Sequence, residues 1–160
     1  MGINEIYGGD ETTGKLWKWT IDLESGSCLE EQIDDRPCDF ARIDDRKVGL
    51  KAKNGYTMAI DDKADSLTFG KHLYKFDLER NERLDHYLGN NTIGGEPCFA
   101  PKNSNSSEDE GWVMSIVYDG NIDKSKLVII DTLNFDKKPV CEIILPQRVP
   151  FGAHGNWMPN

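Results

Sequence analysis

A strand pair that recurs at nearly equal spacing constrains this chain more than any other feature. Residues 16–22 and 73–78 largely alternate apolar and polar side chains, and residues 126–131 contain an apolar run that ends at Asp131. Each of the three segments precedes a polar turn and a second short segment. Such alternation between turns predicts β-hairpins. The aspartates near the ends of the first strands, Asp22, Asp77 and Asp131, follow one another after 55 and 54 residues. A period of about 50 residues is typical of β-propeller blades, whereas a plain β-meander would show it only by accident.

The segments between the hairpins complete an all-β prediction. Residues 48–50 and 55–60 are predicted to form a strand pair, and residues 111–118 a long buried strand. Residues 103–110 contain Asn, Ser and acidic residues, which predicts a surface loop. No stretch keeps a helical period of apolar residues, so the sequence predicts an all-β fold.

One polar residue follows each hairpin at a comparable distance. Asp39, Glu96 and His154 come 17, 19 and 23 residues after the three hairpin aspartates. The innermost strands of propeller blades line a central channel, so equivalent positions of successive blades converge on one axis. Two carboxylates and an imidazole that converge in this way are better suited to a metal site than to a core.

The residues around His154 favour an imidazole that projects into an apolar pocket. Pro150 restricts the preceding backbone, and Gly155 removes side-chain bulk beside the ring. Phe151 and Trp157 are expected to supply apolar walls. A metal ligand and a proton-transfer group both need such a pocket. A single histidine among aromatic residues is, however, more often a hydrogen-bonded core residue.

The closing stretch also carries a resemblance to a known family. Residues 148–157, Arg-Val-Pro-Phe-Gly-Ala-His-Gly-Asn-Trp, resemble the closing segment of the carotenoid oxygenases, the carotenoid cleavage dioxygenase family. Residues 16–20, 42–44, 94–97, 111–113 and 127–131 resemble the C-terminal part of that family in the same order. The resemblance implies that residues 1–160 form about three C-terminal blades of a seven-bladed β-propeller, with the N-terminal blades absent.

The resemblance also implies a metal centre. Members of the family hold non-haem Fe2+ with four histidines and use O2 to split a conjugated double bond of a carotenoid or apocarotenoid. By this resemblance His154 is an iron ligand, and Glu96, in Gly-Gly-Glu-Pro, is a carboxylate that braces a ligand histidine. Asp39 stands where the family carries another bracing glutamate, and its side chain is one methylene shorter. His72 and His86 match no ligand motif and are predicted to be surface or edge residues.

The first hypothesis is a dioxygenase segment that is inactive alone, and two other functions remain open. The other three ligand histidines would lie in upstream blades, so the chain could instead be a non-catalytic propeller fragment with a binding or scaffolding role. A Kelch-like interaction propeller is a weaker alternative, because those proteins depend on Gly-Gly and Trp repeats. A relative that isomerises retinyl esters on the same scaffold also leaves the reaction type open.

Composition limits the partners and the compartment. The formal net charge of −9 argues against nucleic-acid or anionic-membrane surfaces. No apolar run approaches the roughly 20 residues of a membrane helix, and residues 1–5 lack signal-peptide features. The four cysteines are widely spaced and are predicted to be reduced and buried. We therefore expect a cytoplasmic protein, or a plastid one in a photosynthetic organism. Its expected partners are the carotenoid-type substrate, O2 and a missing N-terminal propeller segment.

Overall fold

A computed structural model describes residues 14–61, 69–150, 152 and 154–158. Within these ranges the chain forms eleven β-strands and two single-turn 3-10 helices, at Asp45–Lys47 and Thr132–Asn134, and no α-helix. In chain order the strands are β1 (Trp17–Ile21), β2 (Cys28–Gln32), β3 (Cys38–Arg42), β4 (Asn54–Ile60), β5 (Phe69–Asp77), β6 (Glu82–Tyr87), β7 (Thr92–Ile93), β8 (Cys98–Pro101), β9 (Gly111–Asp119), β10 (Lys124–Asp131) and β11 (Cys141–Ile144). The all-β prediction is confirmed.

The strands form three antiparallel sheets that follow one another along the chain. The first sheet is the hairpin β1–β2, and the second has the order β3-β4-β5-β6. In the third sheet, the order β11-β10-β9 ends at an edge where β7 and β8 both pair with β9. The three predicted hairpins correspond to β1–β2, β5–β6 and β10–β11. The second and third sheets each have four strand positions, as the antiparallel blades of a propeller do.

The hydrophobic core lies between the second and third sheets. Tyr56 of β4 stacks on Phe99 of β8, with ring centroids 5.7 Å apart. Phe135, which follows the second 3-10 helix, is fully buried and lies 6.2 Å from the ring of Tyr56. Apolar side chains from the facing strands surround these rings, including Met58, Leu73, Val113 and Ile130. Large aromatic side chains therefore join the two sheets.

A polar bridge crosses the same boundary. Lys75 Nζ on β5 donates to Asp109 Oδ2 at 2.6 Å and to the Thr132 carbonyl oxygen at 2.7 Å. The hydroxyl of Tyr56 donates to the other oxygen of Asp109 at 3.2 Å. Burial, with Asp109 close by, raises the pKa of Tyr56 well above its ordinary value, so the phenol stays protonated. The predicted surface loop 103–110 is thus exposed mainly in its first half, while Asp109 is tied to both sheets.

The predicted strand pair between residues 48–50 and 55–60 is wrong in its first member. Residues 48–50 are not a strand; they follow the helix Asp45–Lys47, and β4 pairs with β3 and β5 instead. The side chain of Asp44 accepts a hydrogen bond from Arg46 N at 3.0 Å and so caps that helix. Gly49 then adopts a φ of 77°, which turns the chain away from an extended path.

Two burial predictions also need correction. His86 is not a surface residue: it is 3% exposed, and its Nδ1 lies 2.8 Å from the Phe135 carbonyl oxygen. The hydrogen bond satisfies the imidazole inside the core, which an isolated histidine in an alternating strand does not reveal. The cysteines are all free, but Cys28 and Cys141 are exposed, whereas Cys38 is buried as predicted.

The first sheet leaves its apolar face open. Trp17, Trp19 and Ile21 lie on one face of β1 and are 46%, 66% and 61% exposed. Contiguous exposed aromatic and aliphatic groups of this kind mark interaction surfaces. Among the described residues, no helix is long and apolar enough to span a membrane.

Candidate metal centre

Glu96 lies in a break of the third sheet's edge strand. β7 and β8 pair with opposite ends of β9, and the residues between them leave the ladder. The Ser115 hydroxyl on β9 holds this break, since it donates to the Gly95 carbonyl oxygen at 2.9 Å and accepts from Gly95 N at 3.3 Å. The side chain of Glu96 is consequently fixed and only 9% exposed.

Glu96 contacts the C-terminal segment through both carboxylate oxygens. Oε2 accepts a hydrogen bond from Gly155 N at 2.6 Å, and Oε1 lies 3.4 Å from His154 Nδ1. Arg42 Nη1 also donates to Oε1, at 3.0 Å. Burial acts to raise the pKa of Glu96, but the hydrogen bonds from Gly155 and Arg42 outweigh it, so the pKa lies below its ordinary value. Glu96 is therefore an ionised acceptor at neutral pH.

The imidazole of His154 is held on one side and open on the other. Its ring meets the ring of Phe40 edge-on, with centroids 5.5 Å apart, and the side chain remains 75% exposed. A carboxylate that engages one ring nitrogen fixes the orientation of the imidazole and directs the other nitrogen to a metal. The contact with Glu96 through Nδ1 leaves Nε2 for that role.

Phe40 reaches this position because β3 is irregular. Between Asp39 and Arg42, β3 uses one more residue than its partner β4, which is a β-bulge. Phe40 sits in the bulge with a φ of 54°, a left-handed conformation that is uncommon for residues other than glycine. The bulge thus aims an aromatic side chain at His154.

A cavity of about 280 Å³ opens beside the imidazole and is lined by both His154 and Glu96. Most of its other walls are apolar, including Phe69, Ile93, Met114, Ile116, Leu127 and Val149. Apolar walls with a few polar groups are typical of small-molecule sites. An apolar ligand bound in this cavity would lie next to the candidate metal ligand, His154.

Two of the three polar residues from the sequence prediction therefore come together, and the third has a different contact. Asp39 is exposed, and its Oδ1 accepts a hydrogen bond from Phe40 N at 2.7 Å. Its role as a brace stays a prediction. Of the expected apolar walls, Phe151 lies outside the described residues, and Trp157 is 45% exposed.

The donor set fits one ligand position of a metal centre. In the part of the chain that the structure describes, no group of three or more His, Cys, Asp or Glu side chains could hold a metal ion. One imidazole with its carboxylate brace matches a single ligand and its supporting contact. A complete iron site would need further imidazoles.

Arg42 and Asn156 were missed as site residues by the sequence prediction. Arg42 Nη2 donates to Asn156 Oδ1 at 2.9 Å, and Arg42 also pairs with Glu96. A signal was present in the sequence: a carboxylate that braces a ligand in a buried site needs a cation nearby, and Arg42 lies three residues after Asp39. Only the bulge shows that this arginine reaches the site.

Replacing Gly95 with alanine should disturb the break that carries Glu96. An added Cβ would lie 2.6 Å from the backbone oxygen of Ile116, which cannot move without distorting β9. We expect Gly95→Ala to lower the free energy of unfolding by about 1–3 kcal/mol, as overpacking does. Urea unfolding followed by tryptophan fluorescence measures this change.

Gly94→Ala provides the matched control. A Cβ at Gly94 would meet atoms at the ends of the Met58 and Leu88 side chains, which can rotate away. The cost should therefore be smaller than that of Gly95→Ala. Equal destabilisation by the two variants would show that the backbone contact at Gly95 has no special importance.

Comparison with known proteins shows which family this chain belongs to. Residues 4–159 match the family model described as Retinal pigment epithelial membrane protein. The chain is 31% identical over 154 residues to a carotenoid cleavage oxygenase of Mycobacterium tuberculosis, covering 94% of this chain and 30% of that protein. It is 26% identical over 144 residues to the apocarotenoid-15,15'-oxygenase of Synechocystis, covering 90% of this chain and 29% of that protein.

The fold is likewise shared with a solved structure. The crystal structure of cobalt-substituted Synechocystis ACO superposes with a TM-score of 0.82 at 25% identity, covering 92% of this chain and 31% of that one. The chain thus spans less than a third of the length of these relatives. The matched range and these similarities show that the chain belongs to the Retinal pigment epithelial membrane protein family, which includes the carotenoid cleavage oxygenases.

Proposed function

We propose that this chain is the C-terminal segment of a non-haem Fe(II) dioxygenase that cleaves a conjugated double bond of a carotenoid or apocarotenoid. The observation that carries the proposal is the contact between Glu96 and His154 Nδ1 beside an apolar cavity. When bound, the iron would supply the activation of O2. The remaining histidine ligands would come from N-terminal blades, so the chain is inactive by itself.

In this proposal the residues of the chain orient a ligand and supply apolar walls for the substrate. Glu96, ionised and hydrogen-bonded to Gly155 N, would accept a hydrogen bond from His154 Nδ1 and so direct Nε2 toward the metal. The ring of Phe40 shields one side of the imidazole. The apolar cavity walls would bind a polyene, which has no polar groups along its conjugated chain.

The open face of the first sheet supports the need for a further segment. Trp17, Trp19 and Ile21 would pack against N-terminal blades and become buried. The protein would act in the cytoplasm, or in a plastid if the organism is photosynthetic. The alternative function, a non-catalytic binding or scaffolding fragment, would use the same face without any chemistry at His154.

Complementation separates these functions. The chain, produced together with the N-terminal blades of a related apocarotenoid oxygenase, should show iron-dependent loss of polyene absorbance with a model apocarotenoid. His154→Ala should abolish this activity, because the site then lacks a ligand. Glu96→Gln should reduce it by about 10- to 100-fold, as changes to residues that brace a metal ligand do. Asp39→Glu should raise iron retention if Asp39 is a shortened brace.

His72→Ala is the matched control, because His72 contacts Tyr87 and does not line the cavity. The His72→Ala variant should leave the rate of polyene cleavage unchanged. A soluble complex without activity would contradict the dioxygenase assignment and favour the non-catalytic fragment. Full activity in His154→Ala would instead reject His154 as an iron ligand.

A further inference from the structure

Arg42 joins two sheets at the candidate metal centre. It is the last residue of β3, at the edge of the second sheet, whereas Glu96 lies between β7 and β8 at the edge of the third sheet. Their side chains are 20% and 9% exposed, and Arg42 Nη1 lies 3.0 Å from Glu96 Oε1. Asp45 Oδ1 lies 3.6 Å from Arg42 Nη2 and helps to orient the guanidinium group. An ion pair with so little exposure is screened less than a surface pair.

The same guanidinium group also binds the C-terminal segment. Nη1 donates to the Gly155 carbonyl oxygen at 2.9 Å, and Nη2 donates to Asn156 Oδ1 at 2.9 Å. Glu96 Oε2 accepts from the Gly155 N–H at 2.6 Å. Both backbone polar groups of Gly155 are therefore held, one by Arg42 and the other by Glu96. Gly155 directly follows His154, so these bonds set where the imidazole stands.

Packing alone cannot explain the position of His154. Its side chain is 75% exposed, and residues 154–158 have no strand or helix assignment. The edge contact with Phe40 restrains one side of the ring, but it does not fix the backbone. The hydrogen bonds of Arg42 and Glu96 supply the directional restraint that the exposed segment otherwise lacks.

We propose that Arg42 is a positioning residue that fixes the His154 segment against Glu96 through its hydrogen bonds to Gly155 and Asn156. The inference rests on the proposed function for the role of His154 as a ligand. It requires an arginine, because three acceptors are bound by two nitrogens of one rigid plane: Nη1 donates to Glu96 and Gly155, and Nη2 donates to Asn156. A lysine in its place offers a single nitrogen and cannot span the same acceptors.

The test uses the full 160-residue chain, without metal, labelled for NMR spectroscopy. In Arg42→Met the amide of Gly155 should exchange with solvent at least about 10-fold faster than in the wild type, because its local restraint is lost while the core remains. The ring signals of His154 should shift at fixed pH. Arg42→Lys should give an intermediate exchange rate, since it restores the charge but only one donor position.

Arg83→Met is the matched control. Arg83 is 17% exposed and pairs with Asp34 and Asp85, away from the cavity. It should leave Gly155 exchange and the His154 signals unchanged relative to core amides such as that of Leu73. Unchanged Gly155 exchange in Arg42→Met, equal acceleration in Arg83→Met, or wild-type exchange in Arg42→Lys would each overturn the proposal.

These measurements need neither iron nor a second polypeptide. If the cleavage assay fails but Arg42→Met still accelerates Gly155 exchange, the dioxygenase function is rejected and the positioning role of Arg42 stands. If the enzyme is active but Arg42→Met has no effect on Gly155, only the positioning role is rejected. The two proposals can therefore fail separately.

Discussion

Phe135→Ala is expected to lower the free energy of unfolding by about 3–5 kcal/mol, which is the usual cost of removing a buried phenyl ring. Phe135 is fully buried, and its ring lies between those of Tyr56 and His86, with centroids 6.2 and 5.9 Å away. The vacated space lies between two sheets whose backbones are fixed by their ladders, so little collapse can fill it. Urea denaturation followed by circular dichroism measures the loss.

Leu133→Ala is the control for this variant. Leu133 belongs to the neighbouring 3-10 helix Thr132–Asn134 but is 63% exposed. Its truncation should change stability by less than about 0.5 kcal/mol, as surface substitutions usually do. Similar losses from both variants would mean that Phe135 does not join the sheets.

Asp109→Ala should cost about 2–4 kcal/mol, because it leaves the Lys75 ammonium group inside the protein without its counter-charge. Lys75 is 9% exposed at its side chain, and of its described contacts only the Thr132 carbonyl oxygen would remain. Asp109 is itself 27% exposed, which places the cost below that of a fully buried pair. Thermal and urea unfolding experiments both measure this loss of stability.

Two variants test whether the unpaired Lys75 ammonium group causes this loss of stability. Glu110→Ala removes the adjacent carboxylate, whose partner Lys102 is 57% exposed, and should cost no more than about 1 kcal/mol. The double variant Lys75→Met with Asp109→Ala should recover part of the stability, since no unpaired charge remains. No recovery would show that packing, rather than the unpaired ammonium group, explains the loss.

The fold was largely predictable because hairpins are local. Alternation and turn residues locate β1–β2, β5–β6 and β10–β11, since both strands of each pair lie close in sequence. The wrong prediction at residues 48–50 has a local cause as well. A short apolar run favours a strand, but the Asp44 cap starts a 3-10 helix immediately before it. His86 was misplaced because its partner is a backbone carbonyl 49 residues away.

The site was predictable in its members but not in its connections. Glu96 and His154 were found from repeat offsets and motifs, and the structure places them in contact. Arg42 was missed because its role depends on a bulge in β3 and on acceptors in two distant segments. Periodicity describes one strand at a time, so it cannot show where a strand edge meets another part of the chain.

The contrast between local strand pairing and distant site contacts has a consequence for the order in which the molecule folds. Hairpins such as β9–β10, where Asp119 pairs with Lys124, close short loops and can form early. The bonds from Arg42 to Gly155 and Asn156 close loops of 113 and 114 residues. They offset the conformational entropy lost in closing these loops only after both sheets have formed. We therefore expect docking of the His154 segment to be the final kinetic step. In a cell, the part of the chain that carries the candidate ligand would then be the last to become protected from proteases.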